Sequence, residues 1–185
     1  MDYQWYEKIQ PDCPLEQGDI VEGCYVIMPE EAHYQSILKG EQTQIDIPII
    51  KFNGIILSQS CDITHGKVDS LIICPVISLK QLIEDMPHYK QSAAREDLRQ
   101  GKMPAHHLLN KLEGEKLPQD FCIVDFHHIY SLPKMFLQEI VKTNERIRLL
   151  PPYREHLSQS FARYFMRVGL PSDIDRNEIA SYGKQ

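Results

Sequence analysis

The stretch GIILSQSCDITHGKVDSLIICPV, residues 54–76, decides the fold. Two apolar runs, residues 55–57 and 71–74, flank a polar piece, SQSCD, which we call the SQSCD segment (residues 58–62). Short apolar runs separated by polar residues and glycine are typical of strands joined by a turn. We therefore predict a strand, a turn at DITHGK, and a second strand whose unbroken apolar run is typical of cover on both faces.

Similar patterns on either side predict more strands. LEQGDIVEGCYVIM, residues 15–28, is rich in β-branched and aromatic residues and predicts a first strand. Residues 29–44 are interpreted as a loop. IDIPII and KFNGIILS, residues 45–58, predict two strand pieces hinged at Asn53-Gly54, a dipeptide common in hairpin turns. DFCIVDFHHIYSLP, residues 120–133, predicts a return to strand.

Four helical regions interrupt or follow these strands. Ser78 and Gln81 form a capping-box pattern before a short helix that Pro87 ends. Residues 88–118 are polar, and we predict a mobile insertion with one or two weak helices. Pro133 opens a helix that reaches about residue 142. The clearest helix covers residues 153–168, where apolar residues recur at helical spacing: Leu157, Phe161, Tyr164, Phe165 and Val168.

These elements predict one α+β domain over residues 1–185, because 185 residues with 42% hydrophobic content can bury one core. Its predicted parts are a small β-barrel over residues 15–132, a polar helical insertion at 88–118, and a C-terminal helical part, residues 133–185, that contributes two helices packed on the barrel.

Composition limits the function classes. Five cysteines without a C-x-x-C pair, and an N-terminus without a signal-peptide pattern, predict reduced thiols and a cytoplasmic protein. No apolar run approaches the roughly 18 residues that cross a bilayer, so we predict no membrane role.

Charge is distributed unevenly along the chain. The net charge is −6, which argues against a protein that coats nucleic acid. Residues 1–50 hold ten acidic and two basic side chains, whereas residues 134–167 hold three acidic and seven basic ones. This asymmetry is compatible with docking of the two ends on each other, with a basic face for an anionic partner, or with ordinary solvated surfaces.

The strands carry a family resemblance. QGDIV, then GIILS, a turn with a glycine, and IICPVIS resemble the PemK/MazF toxins over residues 17–78. Those toxins are SH3-like barrels that cut single-stranded RNA without metal, using an arginine before the second of these strands and a hydroxyl after its partner. The resemblance places the arginine near Phe52 or Asn53, where Lys51 is the nearest cation, and matches the hydroxyl with Ser78.

Because the arginine is missing, we favour a binding or regulatory module related to toxin–antitoxin or phage-defence barrels. The alternative is a metal-independent endoribonuclease of this family that uses Lys51 and Ser78. A third possibility is a Cys- or metal-dependent hydrolase.

The thiol alternative centres on the SQSCD segment. If the strand continued, alternation would place Ser58, Ser60 and Asp62 on one face and Cys61 on the other. Cys61 with His65 would form a nucleophile and base pair, provided that a cation stabilised the thiolate. The plainer interpretation is a buried, inert Cys61 and a turn-forming Asp62.

Metal binding is predicted to be absent. His106-His107 and His127-His128 are adjacent pairs whose members point apart on a strand or helix. A zinc site would need distant ligands, for example Cys61, His65 and one of His127 or His128. Surface histidines are the preferred interpretation, so we predict no metal and no cofactor.

The last helix carries a basic ridge, which we define as His156, Ser160, Arg163 and Arg167. We expect it to bind a protein partner or RNA, with a homodimer left open. Arg154 falls at the edge of the apolar stripe, and a half-buried guanidinium needs an acceptor. We predict that Arg154 pairs with Asp62 and makes the SQSCD segment one wall of a pocket.

Overall fold

The computed structural model describes residues 3–40, 46–111, 120–166 and 182. Within these residues the protein is α+β, with an eight-stranded antiparallel sheet, six α-helices and a 3₁₀ turn at Pro87–Lys90. The strands are β1 (Tyr6–Ile9), β2 (Asp19–Ile27), β3 (Ile49–Ile56), β4 (Ser70–Ser78), β5 (His106–Leu109), β6 (Cys122–Asp125), β7 (Tyr130–Pro133) and β8 (Arg146–Leu149). The helices are α1 (Glu31–Leu38), α2 (Ser60–Thr64), α3 (Leu79–Asp85), α4 (Ser92–Arg99), α5 (Lys134–Val141) and α6 (Tyr153–Phe165).

The sheet runs in the order β1-β8-β2-β3-β4-β6-β5, and β7 also pairs with β4. Its two edges are β1 and β5, and among the described residues these edges are not paired with each other. The sheet is therefore open. The α+β class is confirmed, but a closed SH3-like barrel is not.

β4 is the strand on which the sheet is built. One edge pairs with β3, and the other pairs with β7 along its first half and with β6 along its second. β6 and β7 thus lie end to end beside β4, separated by a turn at residues 126–129 that we call the histidine turn. Pro75, which has no N–H to donate, stands between the two paired halves of β4.

Helices cover both faces of the sheet. Ile20 and Ile55 belong to a core that includes Leu157 of α6, whereas their neighbours Val21 and Ile56 belong to a core with α5. Because successive strand residues point to opposite faces, α5 and α6 lie on opposite sides. The two predicted C-terminal helices are therefore confirmed. A third core packs α3 and α4 against β6.

The acidic and basic ends of the chain dock on each other. Asp19, fully buried at the start of β2, accepts hydrogen bonds from Arg146 and Arg148 of β8, with Arg146 Nε 2.7 Å from its Oδ2. Arg148 also pairs with Glu16 at 2.8 Å. The self-docking interpretation of the charge asymmetry is confirmed for these residues.

Several local predictions were wrong. Residues 29–44, predicted as a loop, contain α1. This helix has no apolar periodicity in the sequence, because none of its residues is buried. Reciprocal hydrogen bonds between Glu30 and His33 cap its N-terminus. Asn53-Gly54 is not a hinge but the interior of β3. A Cβ on Gly54 would lie 2.7 Å from Ile73, so glycine permits close packing between β3 and β4.

The insertion was also only partly predicted. The short helix after Ser78 is confirmed, with Ser78 Oγ accepting from Gln81 N at 3.1 Å. Residues 88–118 do contain a helix, α4, but they also contain β5, whose four residues pair with β6. The described part of this region is therefore integrated into the sheet. The edge strand β1 and its neighbour β8 were not predicted.

None of the helices described is both long enough and apolar enough to traverse a lipid bilayer.

Candidate functional site

The two serine hydroxyls of the SQSCD segment accept hydrogen bonds from backbone groups elsewhere in the chain. Residues from Ser60 onward form α2, so the predicted strand alternation of Ser58, Ser60 and Asp62 was wrong. Ser58 Oγ accepts a hydrogen bond from Ile72 N at 2.8 Å, and Ser60 Oγ accepts one from Gln17 N at 3.1 Å. Both hydroxyls therefore hold the backbone at the end of the β3–β4 pair.

Cys61 and Asp62 lie on the exposed side of α2. Cys61 was expected to be buried but is exposed, and its Sγ lies 3.7 Å from Asp62 Oδ1. A carboxylate neighbour does not favour the thiolate that a nucleophile requires. His65 Nδ1 lies 2.6 Å from the carbonyl oxygen of Cys61, so this ring nitrogen contacts the backbone and not the thiol.

The predicted pair of Arg154 and Asp62 is not formed. Arg154 instead lies 3.7 Å from Glu16 and 3.3 Å from Glu155, and Asp62 lies 3.2 Å from Lys67. Arg154 runs its aliphatic part beside Gly18, where a Cβ would meet its Cδ at 3.4 Å, and this packing explains an arginine at the edge of the apolar stripe. The predicted pair, and with it the expected means of fixing the SQSCD segment, was therefore wrong.

The two residues matched to the toxin chemistry occupy different surroundings. Lys51 is exposed on β3, with its Nζ 5.6 Å from the centre of the Tyr25 ring. Ser78 ends β4, and its hydroxyl caps α3. Pairing between β3 and β4 stops at Gly54 and Pro75, so no described ladder pair joins Lys51 to Ser78.

A cleft of about 270 Å³ lies between α6 and the segment from α4 to β5, and we call it the cationic cleft. Arg163 and His156 enter it from α6, and Arg99, Lys102 and His107 enter from the other side. The remaining lining residues are Leu98, Gln100, Gly101, Met103, Pro104, His106, Leu108 and Ser160. None of these described lining residues is acidic.

The cleft brings most of the basic ridge together with residues that the sequence did not connect to it. His156, Ser160 and Arg163 line the cleft, whereas Arg167 lies outside the described residues. Arg99 pairs with Glu96 at 2.6 Å, and Lys102 pairs with Asp97 at 3.2 Å.

Arg163 is exposed and has no carboxylate partner within the described part of the chain. The cleft therefore has a free guanidinium with other cations nearby.

On β5, the adjacent histidines behave as predicted for a strand. His107 points toward Phe126 and His156, whose imidazole centre is 5.1 Å away. Burial, with a smaller contribution from His156, lowers the pKa of His107 from 6.5 to about 3. His106 points toward Tyr89 and Asp125 on the other side.

The histidine turn, in contrast, does not separate its pair. Asp125 Oδ1 accepts from His127 N and lies 2.9 Å from His127 Nδ1, while Asp125 Oδ2 lies 2.7 Å from His128 Nδ1. The prediction that both pairs point apart was wrong here, because these residues are in a turn where strand alternation does not apply. Burial favours the neutral form of Asp125, but hydrogen bonds from His128 and His127 favour the carboxylate more strongly. The pKa of Asp125 is therefore held below its usual value.

His106 completes a group of three that we call the histidine cluster: His106, Asp125 and His127. One potential ligand atom from each lies within 4.8 Å of the others. The Tyr89 hydroxyl is 2.9 Å from His106 Nδ1, and His106 Nε2 is 3.7 Å from Asp125 Oδ1. That Nε2 is buried without a hydrogen-bond partner among the described atoms, and burial lowers the pKa of the ring.

Only part of the histidine cluster has a recognisable pattern in the sequence. DFHH, residues 125–128, places a carboxylate two and three residues before two imidazoles, which is a recognisable local pattern. His106 arrives through the pairing of β5 with β6, in which His106 is opposite Asp125. Because β5 was interpreted as mobile insertion, the third member could not be found.

Among known proteins, the chain matches no family model and no curated protein.

Proposed function

We propose that the protein is a binding module for single-stranded RNA and that the cationic cleft is its binding surface. The observation that carries the proposal is the lining of the cleft: Arg163, which has no carboxylate partner among the described residues, lies with Arg99 and Lys102 around a cleft that has no acidic lining residue among those described. The whole chain carries −6, so this positive surface is local. A local positive surface on an acidic protein favours an anionic partner at that place.

Ring side chains favour RNA over a purely acidic protein segment. Proteins that bind single strands combine cations along the phosphates with flat rings on which bases stack. The cleft offers the exposed ring of His156 beside the guanidinium of Arg163. The buried ring of His107 lies behind it, with the two ring centres 5.1 Å apart, and supports the His156 ring without adding charge near pH 7. Binding to an acidic protein would require only the cations.

We further propose the relationship to the PemK/MazF barrels and to toxin–antitoxin or phage-defence modules. Its support is that the resembling residues 17–78 fold into β2, β3 and β4, which pair consecutively and antiparallel. A binding role is preferred to RNA cleavage because the hydroxyl of Ser78 caps α3, and neither Ser78 nor Lys51 lines the cleft.

Fluorescence anisotropy with a short labelled single-stranded RNA tests this function. We expect the double variant Lys102→Gln, Arg163→Gln to bind about tenfold or more weakly than the wild type. If both cations contact phosphates, the slope of log affinity against log salt should become shallower by about 1.4, since each single-strand contact contributes about 0.7. The matched control, Lys51→Gln with Lys142→Gln, removes two exposed lysines outside the cleft and should bind like the wild type.

Other outcomes would replace the proposal. Equal weakening by both double variants would assign binding to overall charge and not to the cleft. Failure of the wild type to bind RNA at low salt, together with cleft-dependent binding of an acidic peptide, would assign the cleft to a protein partner. RNA cleavage in EDTA that is lost in Lys51→Gln would instead establish the endoribonuclease alternative.

A further inference from the structure

We propose that the histidine cluster is a binding site for a zinc-class divalent transition metal. The site goes beyond the proposed RNA-binding function and does not depend on it. It joins two strands and a turn: His106 comes from β5, Asp125 ends β6, and His127 follows in the histidine turn. The sequence-based expectation of no metal held that neither histidine pair can chelate an ion alone. The cluster instead takes one histidine from each pair together with Asp125, because β5 pairs with β6 and places His106 opposite Asp125.

The spacing of the ligand atoms is close to that of a tetrahedral site. Metal–ligand bonds of about 2.0–2.1 Å at tetrahedral angles place ligand atoms about 3.3 Å apart. His106 Nε2 and Asp125 Oδ1 are 3.7 Å apart, and His127 Nδ1 lies 2.9 Å from the same oxygen. All three ligand atoms lie within 4.8 Å of one another, so no separation exceeds the tetrahedral value by more than about 1.5 Å.

His106 supplies the observation that points to a ligand. Buried polar atoms nearly always have a hydrogen-bond partner, yet His106 Nε2 is buried with none among the described atoms and faces Asp125. The Tyr89 hydroxyl lies 2.9 Å from the other ring nitrogen. When Nδ1–H donates to that oxygen, Nε2 presents its lone pair to the cluster, as in metal-bound histidines oriented by an outer partner.

The types of ligand indicate which class of metal the site would bind. Two imidazoles and one carboxylate suit zinc and its neighbours in the first transition row, whereas calcium and magnesium prefer oxygen ligands alone. Three protein ligands leave one tetrahedral position for water or another ligand. His128, bound to the second oxygen of Asp125 at 2.7 Å, would orient that carboxylate from outside the site.

A titration of the full-length, EDTA-treated protein with Co²⁺ tests the site, because tetrahedral cobalt absorbs strongly in the visible range. We expect a single saturating site whose spectrum disappears when Zn²⁺ is added. His127→Ala should weaken cobalt binding about tenfold or more, and because the His127 side chain is 46% exposed, this variant should fold. Asp125→Asn should have the same effect while keeping an acceptor for the His127 backbone.

His65→Ala is the matched control, since His65 is an exposed histidine whose near nitrogen contacts only backbone. It should bind cobalt like the wild type. The proposal is overturned if the wild type shows no tetrahedral cobalt spectrum, or if His127→Ala and His65→Ala bind equally well. It is also overturned if alkylation of the exposed Cys13 and Cys61 abolishes binding, because the ion would then be held by thiolates.

Discussion

The SQSCD segment and the histidine turn each follow a buried strand, and each has a histidine three residues after an aspartate: Asp62 with His65, and Asp125 with His128. After the SQSCD segment, His65 Nδ1 contacts a backbone carbonyl, and the two serine hydroxyls of the segment accept hydrogen bonds from backbone N–H groups in β4 and just before β2. In the histidine turn both imidazoles bond Asp125, and β5 adds His106. The two regions differ because β5, a strand from elsewhere in the chain, brings the side chain of His106 to the histidine turn.

The largest effect expected from this comparison concerns aspartates. Asp19 is bonded across the fold to two buried arginines, whereas Asp62 has an exposed local lysine. Asp19→Ala should lower the free energy of unfolding by about 3–5 kcal/mol, because it leaves buried guanidinium groups without their charge partner. Asp62→Ala should lower it by only about 0–1 kcal/mol. Denaturant unfolding of both variants measures the difference.

Equal destabilisation by Asp62→Ala and Asp19→Ala would contradict this prediction. It would mean that Asp62 has a stabilising partner other than Lys67. Lys67→Ala should match Asp62→Ala, since both remove the same exposed pair.

A more gradual effect is expected from pH at His107. Its pKa falls from 6.5 to about 3 in the folded protein, so between those values the unfolded chain holds a proton that the folded chain lacks. The stability is complete above pH 6.5 and falls toward pH 3, by about 1.4 kcal/mol per pH unit for this residue. His107→Gln should remove this part of the slope in denaturant unfolding with EDTA present.

Other acidic groups also lose stability at low pH, so the difference between wild type and His107→Gln is the relevant quantity. Parallel pH curves for the two proteins would show that the His107 ring is protonated as easily in the fold as in the unfolded chain.

The smallest effect is expected at Cys61. Its thiol is exposed and touches only the neighbouring carboxylate, so Cys61→Ala should change the free energy of unfolding by no more than about 0.5 kcal/mol. RNA binding should be unchanged, because Cys61 does not line the cleft. Loss of binding or of a hydrolytic activity in this variant would restore the thiol alternative.

Sequence patterns predicted those parts of the fold that have a strong local signal. β2, β4, α3, α5 and α6 have apolar periodicity, capping residues or prolines at their ends, and each was found near its predicted position. β1 and β8 were missed because they are four residues long, and their pairing brings together positions more than 130 residues apart, such as Tyr6 and Leu149. Such pairing has no local pattern.

The candidate site could be predicted only where its residues lie on a single secondary-structure element. The basic ridge follows from helical spacing, and three of its four members line the cleft. Arg99 and Lys102 complete the cleft from the region interpreted as a mobile insertion. The predicted Arg154–Asp62 pair was wrong because Glu16, two residues before Gly18, reaches Arg154 instead, and sequence spacing cannot rank acceptors that lie far apart along the chain.

The most direct test of the convergence at the histidine turn is an anomalous difference map at the zinc absorption edge, from crystals of the wild-type protein soaked in Zn²⁺. We expect the strongest peak within bonding distance of His106 Nε2, an Asp125 oxygen and a His127 nitrogen. Peaks confined to surface groups such as Cys13, Cys61 or His65, with none among these three residues, would contradict it.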